Sequence, residues 1–273
     1  MTFSIVARDG DAYGVAVASR FLAVGAIVPA ARIGTGAVAT QSFARVAYGP
    51  ELLDALTGGA TAVDALATAT AADTLREQRQ VGVVGPDDSA TFTGSACMAW
   101  AGGRSGGDPR SGYAIQGNIL VGPEVVAQME GSWLGSAGAP FTRRLLAALR
   151  AGDAAGGDAR GRQGSALYAV QPGRGYDHCG VLADLRVDDH PDATTELTRV
   201  HDLHDLYFGE PEDIRPLIWP LTEEVRARLA RLGYRSGEVA DDLARWVGEA
   251  NLEMRLSPDG IDARVLAELR RVS

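Results

Sequence analysis

Apolar and polar residues alternate with a period of two at the start of the chain. Over residues 3–8, Phe3, Ile5 and Ala7 share one face of an extended segment, and Ser4, Val6 and Arg8 share the other. A second extended run at 13–19 follows Asp9-Gly10-Asp11, so the two runs predict a β-hairpin. Further strands are predicted at 36–41, 80–84, 90–93, 113–120 and 165–170. Helical periodicity occupies 50–72, with a break expected at Gly58-Gly59, and 123–150, with a break near 135–138. Pro123 and Pro140 suit the first turns of helices. Strands separated by helix pairs predict sheets covered by helices. Beyond residue 220 the period is helical. Leu221, Val225, Leu229 and Leu232 precede Gly233; Val239, Leu243 and Trp246 or Val247 follow; Val265, Leu266 and Leu269 stand behind Asp262 as N-cap. Three short helices predict a small bundle.

Composition divides the chain at the same place. Residues 1–181 carry 29 of the 34 glycines and a net charge of -1, whereas 182–273 carry five glycines and a net charge of -8. Val187-Asp188-Asp189-His190-Pro191-Asp192 reads as the turn or linker near the seam, giving an expected domain of 1–195 and an acidic helical one of 196–273. No stretch approaches the roughly 20 apolar residues of a membrane span, and no basic segment leads into an apolar one at the start. A cytoplasmic protein without a membrane partner is expected. Cys97 and Cys179 are too few for a disulfide framework or a multi-cysteine zinc site.

All 26 basic residues are arginine. A chain without lysine has no lysine to serve as a Schiff-base nucleophile or to sit on a phosphate, which excludes pyridoxal enzymes, Schiff-base aldolases and standard phosphate-loop NTPases. The acidic balance and the lack of a basic stripe exclude a nucleic-acid partner.

Thr2 is the sharpest chemical candidate. Removal of Met1 would leave its α-amine, with a pKa of about 7.7–8.0, beside a hydroxyl on the same residue. Such a threonine serves as nucleophile and base together. Ser4 faces the same side, two residues on, but has no amine of its own. Gln116-Gly117-Asn118 offers amide donors to a developing oxyanion, or equally a β-bulge whose amides satisfy neighbouring strands. His201 and His204 sit at i, i+3, a spacing that suits a shared metal or a solvated acidic face. No third ligand follows at metalloprotease spacing, so no metal is expected. His178 and Cys179, as neighbours on a strand, would point apart.

Residues 2–8 and 14–20 resemble the opening hairpin of N-terminal-nucleophile (Ntn) hydrolases such as proteasome β-subunits. Arg32-Ile33 falls where those proteins carry a lysine beside the nucleophile. Asp158-Ala159-Arg160-Gly161, with Tyr168-Ala169-Val170 after it, is similar to their Asp-x-x-Ser motif and following strand. The chain departs at two points, with arginine for the lysine and Gly161 for the serine. A closer resemblance, over residues 2 to about 195, is to an uncharacterised bacterial and archaeal family with this fold, domain of unknown function ten-twenty-eight. Ser19-Arg20-Phe21-Leu22-Ala23-Val24-Gly25, Ala39-Thr40-Gln41, Tyr48-Gly49-Pro50, Thr93-Gly94, Gln116-Gly117-Asn118, Gly157-Asp158-Ala159-Arg160-Gly161-Arg162-Gln163 and Asp188-Asp189-His190-Pro191 carry it. The helices from Val225 through Leu232-Gly233-Tyr234 are similar to peptidoglycan-binding three-helix domains; an acidic lid or dimerisation module is the alternative.

These resemblances imply an α/β (α+β) fold, a four-layer α/β/β/α Ntn-hydrolase-like sandwich followed by a small helical domain. The implied function is hydrolysis of an amide-type C–N bond in a small molecule or peptide, without cofactor or metal. Thr2, Arg32, Asp158 and Asn118 are the expected catalytic residues, and Arg20, Gln41, Gln116 and Arg162 are expected to bind substrate. A homo-oligomer is expected. The alternatives are a non-catalytic ligand- or peptidoglycan-binding protein on the same fold, and a cyclohydrolase acting on a ring amide.

Overall fold

The computed structural model describes residues 2–108 and 110–273, which form two compact units, Met1–Val200 and His201–Ser273. The chain runs β1 (Thr2–Asp9), β2 (Ala12–Ser19), β3 (Pro29–Arg32), β4 (Gly36–Ser42), α1 (Tyr48–Thr57), α2 (Ala62–Ala71), β5 (Arg79–Val84) and β6 (Ser89–Thr93). It continues β7 (Gly102–Gly107), β8 (Ser111–Asn118), α3 (Glu124–Gly135), α4 (Phe141–Ala154), β9 (Gly164–Val170), β10 (Val181–Val187) and α5 (Ala193–Phe208). The last three helices are α6 (Leu221–Arg231), α7 (Val239–Glu249) and α8 (Ala263–Val272).

The strands form two antiparallel sheets. The larger has the order β10-β9-β2-β1-β8-β7 and the smaller β3-β4-β5-β6. β1 therefore lies inside its sheet, with β2 and β8 on either side. Strand parity decides what each side chain meets. Phe3, Ile5 and Ala7 pack with Val125, Met129, Leu145 and Leu149 of α3 and α4. Val6, Val15 and Val17 turn the other way and join Ala37, Ala39 and Val84 of the smaller sheet in a core between the sheets. Val38, Val81 and Val83 pack on the far side of that sheet with Leu52, Leu53, Leu56 and Leu66 of α1 and α2. One end of the inter-sheet core is polar, because Thr2, Ser4, Gln41, Gln80, Gln116 and Asn118 share the inward parity.

The acidic stretch after Val187 forms the turn into α5. In the helical unit, Val225, Leu229, Leu243, Trp246, Val265 and Leu269 make one core. Asp262 caps α8 through the Arg264 and Val265 N–H groups, and Gly233 ends α6 at φ 98°. Arg255 is buried beside Asp262 (3.0 Å) and donates to the Leu206, Glu210 and Asp205 carbonyls, which ties 205–210 to the bundle. No helix among the described residues is long and apolar enough to cross a membrane.

Candidate functional site

Thr2 opens β1 opposite Asn118 of β8, only 6% exposed. Its hydroxyl shares a 3.1 Å hydrogen bond with the Ser19 hydroxyl at the end of β2. Its carbonyl accepts from Gln41 Nε2 at 3.1 Å, with Asn118 Nδ2 at 3.5 Å. Behind it lies a continuous lattice of amides. Gln41 Nε2 also donates to Gln80 Oε1 (2.8 Å) and the Gln116 carbonyl (3.3 Å). Asn118 Nδ2 donates to the same Gln80 Oε1 at 2.9 Å. Ser4 Oγ donates to Gln41 Oε1 at 2.7 Å and accepts from Gln116 Nε2 at 2.6 Å, while Thr91 Oγ1 donates to Gln116 Oε1 at 3.3 Å. Gln80 Nε2 faces the Gly117 carbonyl (2.8 Å), the Gly102 carbonyl (3.2 Å) and Thr93 Oγ1 (2.9 Å). Buried amides require such partners, and this end of the core supplies nearly all of them from its own strands.

The lattice reaches the wall of an open groove of about 490 Å³ lined by Thr91, Thr93, Cys97, Gly102 and Gly103 among others. Behind the start of β5, Asp73 accepts from Arg79 Nε (2.9 Å), the Tyr48 hydroxyl (2.9 Å) and the Leu75 N–H. Burial and the hydrogen bond to Asp73 push the Tyr48 phenol up to about 12, so it stays a donor. Arg79 also holds the Phe43 carbonyl at 2.5 Å, which ties the segment after β4 to the strand that carries Gln80. The backbone turns sharply where the lattice ends. Ser42, directly after Gln41, has φ 69°, and Ile119, directly after Asn118, has φ 50°. A β-branched residue in the left-handed region costs about 1–2 kcal/mol, and such strain concentrates at functional sites.

The expected site residues separate into three groups. Thr2, Gln41, Gln116 and Asn118 come together as described. Asp158 is buried alongside but does not bond Thr2; it accepts the Arg20 N–H at 2.7 Å and the Arg160 N–H at 2.9 Å and so fixes the turn that follows Ser19. Arg20 Nη1 donates to the Arg160 carbonyl at 2.7 Å, passing over Gly161. Gly161 has φ 107°, a conformation in which a residue with a side chain would be strained. Arg162 Nε donates to both carboxylate oxygens of Asp153, at 2.7 and 2.9 Å. Arg32 is a correction. It pairs with Gly36 at the start of β4, about 17 Å along the strand from Gln41 at roughly 3.3 Å per residue, and binds Asp54 (2.7 Å) and Thr57 (2.9 Å) on α1. It braces a helix rather than Thr2. Both contacts of the Asn118 NH2 group lie within the lattice, to the Thr2 carbonyl and to Gln80 Oε1.

Sequence reasoning missed Gln80, the hub of the lattice, and the role of Ser19. Parity with Gly82 and Val84 could have placed Gln80 inward, and parity with Val15 and Val17 could have done the same for Ser19. A Gly-x-Ser-x-Gly spacing does occur, at 103–107. That segment lies inside edge strand β7 with Ser105 exposed, not at the strand-to-helix turn that a nucleophile elbow requires. His201 is buried on α5 with His204 one turn away, ring centroids 6.2 Å apart; among the described residues no three His, Cys, Asp or Glu side chains gather at metal-binding distance.

Residues 2–197 match the family described as "Family of unknown function (DUF1028)". The chain belongs to the DUF1028 family. The crystal structure of protein SPO2555 from Silicibacter pomeroyi, a DUF1028 member, is 30% identical to this DUF1028 chain, with a TM-score of 0.66. The match covers 75% of this chain and 89% of that one. Residues 207–269 match a second family, described as "Putative peptidoglycan binding domain". No curated protein matches the chain.

Proposed function

We propose that this DUF1028 chain is an amidohydrolase of the N-terminal-nucleophile type, a four-layer α/β/β/α sandwich that cleaves an amide C–N bond of a small molecule or peptide through Thr2. The observation that carries the reading is the setting of Thr2. It is the first residue of an interior strand, with its hydroxyl on Ser19 and its carbonyl clamped by Gln41. The succession of α3 and α4, the larger sheet, the smaller sheet, and α1 and α2 supports the Ntn-type layering.

Loss of Met1 would make the Thr2 nitrogen a primary amine. That amine, directly or through a water, takes the Oγ1 proton as Oγ1 bonds to the substrate carbonyl carbon. The C–N bond breaks, the proton passes to the leaving nitrogen, and an ester remains on Thr2. Water then adds to the ester and releases the acid, restoring hydroxyl and amine. Ser19 Oγ fixes the rotamer of Thr2, and Asp158 holds Ser19 in place through the Arg20 turn. A second reading, a non-catalytic binder of cell-wall peptides, draws on the peptidoglycan-binding likeness of residues 207–269. A cyclohydrolase would use water on a ring amide with no ester on Thr2.

Intact mass and turnover on a panel of amides, imides and peptides containing D-amino acids test these readings together. The nucleophile reading expects mature chains that lack Met1, a stable adduct on Thr2 with an electrophilic carbonyl analogue, and loss of turnover in a folded Thr2→Ala variant. Full turnover by Thr2→Ala refutes it. Turnover that depends on Thr2 without any adduct points to the cyclohydrolase.

A further inference from the structure

The amide lattice has a fixed polarity, and following it to its end leaves one acceptor unmatched. Gln80 Nε2 faces the Gly117 and Gly102 carbonyls, which can only accept, so the NH2 end of Gln80 must lie there. Its Oε1 therefore points to Gln41 and Asn118. An oxygen at that position requires Asn118 to present its own NH2 group, as it does at 2.9 Å. A reversed Asn118 would set Oδ1 against Gln80 Oε1 and the Thr2 carbonyl, three acceptors with no hydrogen between them. Asn118 Oδ1 consequently lies on the other side of the amide, in a residue 1% exposed, and it is buried without a hydrogen-bond partner. An unmatched buried acceptor costs about 1–3 kcal/mol and calls for an explanation.

The cross-strand partner of Asn118 is Thr2. The Gly10 N–H donates to the Arg110 carbonyl at 2.8 Å, in the register that continues down to Thr2 and Asn118. Hydrogen-bonded pairs recur every second residue in an antiparallel ladder, so Thr2 and Asn118 form one of them, and the Thr2 nitrogen points at β8. Within the ladder that nitrogen needs only one hydrogen. A primary amine at the same position gains donors at the one residue pair where an acceptor is vacant.

Building on the nucleophile reading above, the geometry points to Asn118 Oδ1 as the positioning acceptor for the α-amine of Thr2 once Met1 is removed. A neutral amine has two hydrogens and a lone pair. With one hydrogen on the Asn118 carbonyl and the other on Asn118 Oδ1, the lone pair is left for Thr2 Oγ1 or a bridging water. Asn118 would thus set the direction of the base, and its buried amide hydrogens would lock that direction through Gln80.

The test exploits the absence of lysine, which makes this α-amine the only primary alkyl amine in the protein. Its pKa is read from the pH dependence of labelling by dinitrofluorobenzene, with the free thiols of Cys97 and Cys179 blocked beforehand and the label followed on the N-terminal peptide by mass, in the wild type, Asn118→Asp and Asn118→Leu. The charged groups already at this end are Asp158, Arg20 and Arg160 around the turn after β2, Asp153 with Arg162, and Asp73 with Arg79 behind β5. All of them are common to the three proteins, so a shift reports the substitution. A carboxylate in place of the amide should raise the amine pKa by about one unit or more, and leucine should lower it. An unmoved pKa in folded Asn118→Asp overturns the inference even if Thr2→Ala is inactive, whereas a mature chain that keeps Met1 overturns the nucleophile reading as well. Should neither variant fold, the wild type decides. At equal ionisation its amine should react at least about tenfold more slowly than the amine of a Thr-Phe-Ser peptide, and equal rates overturn the inference.

Discussion

Gly82 is where the lattice is most sensitive to one added atom. It sits on β5 between Gln80 and Val84, and a Cβ built there would lie 2.1 Å from Gln116 Oε1, 2.6 Å from Cδ and 2.7 Å from Nε2. Ordinary contact is about 3.5 Å, so the Gln116 amide must retreat by about 1 Å or more in Gly82→Ala. It cannot do so freely, being fully buried and bonded to Ser4 at 2.6 Å and to Thr91 at 3.3 Å. Overpacking costs about 1–3 kcal/mol and a lost buried hydrogen bond about 1 kcal/mol, while alanine regains about 0.5–1 kcal/mol over glycine in a strand. The expected net destabilisation is about 1–3.5 kcal/mol. The assay is native-state hydrogen exchange at β5 and β8 amides, which reports this unit without relying on a single transition for the whole chain. Gln116→Ala removes the obstacle, so the double variant should be more stable than the sum of the two single effects predicts, by about 2 kcal/mol. Additivity within about 0.5 kcal/mol would refute the steric reasoning.

Three other outcomes are expected. Asp158→Asn replaces one acceptor oxygen with a donor opposite backbone N–H groups, so Arg20 amide exchange should speed up by at least about fivefold, from a loss of about 1–3 kcal/mol; unchanged protection would remove Asp158 from its bracing role. Glu224 is held down to about 2, from an ordinary 4.5, by hydrogen bonds from Arg270 and Arg228, against a smaller upward push from burial. A carboxyl depressed in the folded state stabilises fully above its unfolded value and loses that contribution as pH falls from about 4.5 towards 2. Melting of the helical unit should therefore drop more steeply with acid in the wild type than in Glu224→Gln, and parallel curves would refute this. Arg144→Leu removes a buried guanidinium that pairs with Asp9 at 2.5 Å and lies 3.8 Å over the Trp133 ring, so a loss of about 2–4 kcal/mol and altered tryptophan emission are expected in denaturant titrations.

Much of the strand arrangement was visible in the residues themselves. Parity separates the two faces of β1 and puts Thr2 and Ser4 on the same one, but both faces are buried, so which of them meets the second sheet came only with the structure. β7 was not predicted because Gly-Gly-Arg-Ser-Gly-Gly has neither β-branched residues nor alternation, and only its pairing with β8 makes it a strand. β3 was missed because Pro-Ala-Ala-Arg is short and begins with proline. β10 and α5 were obscured by the acidic stretch between them. At the site, Gln41, Gln116 and Asn118 were picked out as amides for substrate or an oxyanion, their bonding to one another was not foreseen, and Arg32 was placed by likeness alone. The turn at 33–35 carries β4 away from it, and no local signal tells which end of a strand pair faces Thr2. Gln80 became significant only when two sheets, distant in sequence, brought its amide between Asn118 and Thr93.

The buried Arg255 has a practical bearing on where the helical region can be cut out. Its guanidinium is neutralised by Asp262 but solvated, in effect, by the main chain at 205, 206 and 210. A fragment trimmed to the matched boundary at residue 207 would discard two of those three carbonyls and leave part of a cation's substitute hydration shell behind. Autonomous expression should therefore begin at or before His201, and shorter excisions should give a looser, less soluble product for an electrostatic reason unrelated to the three helices.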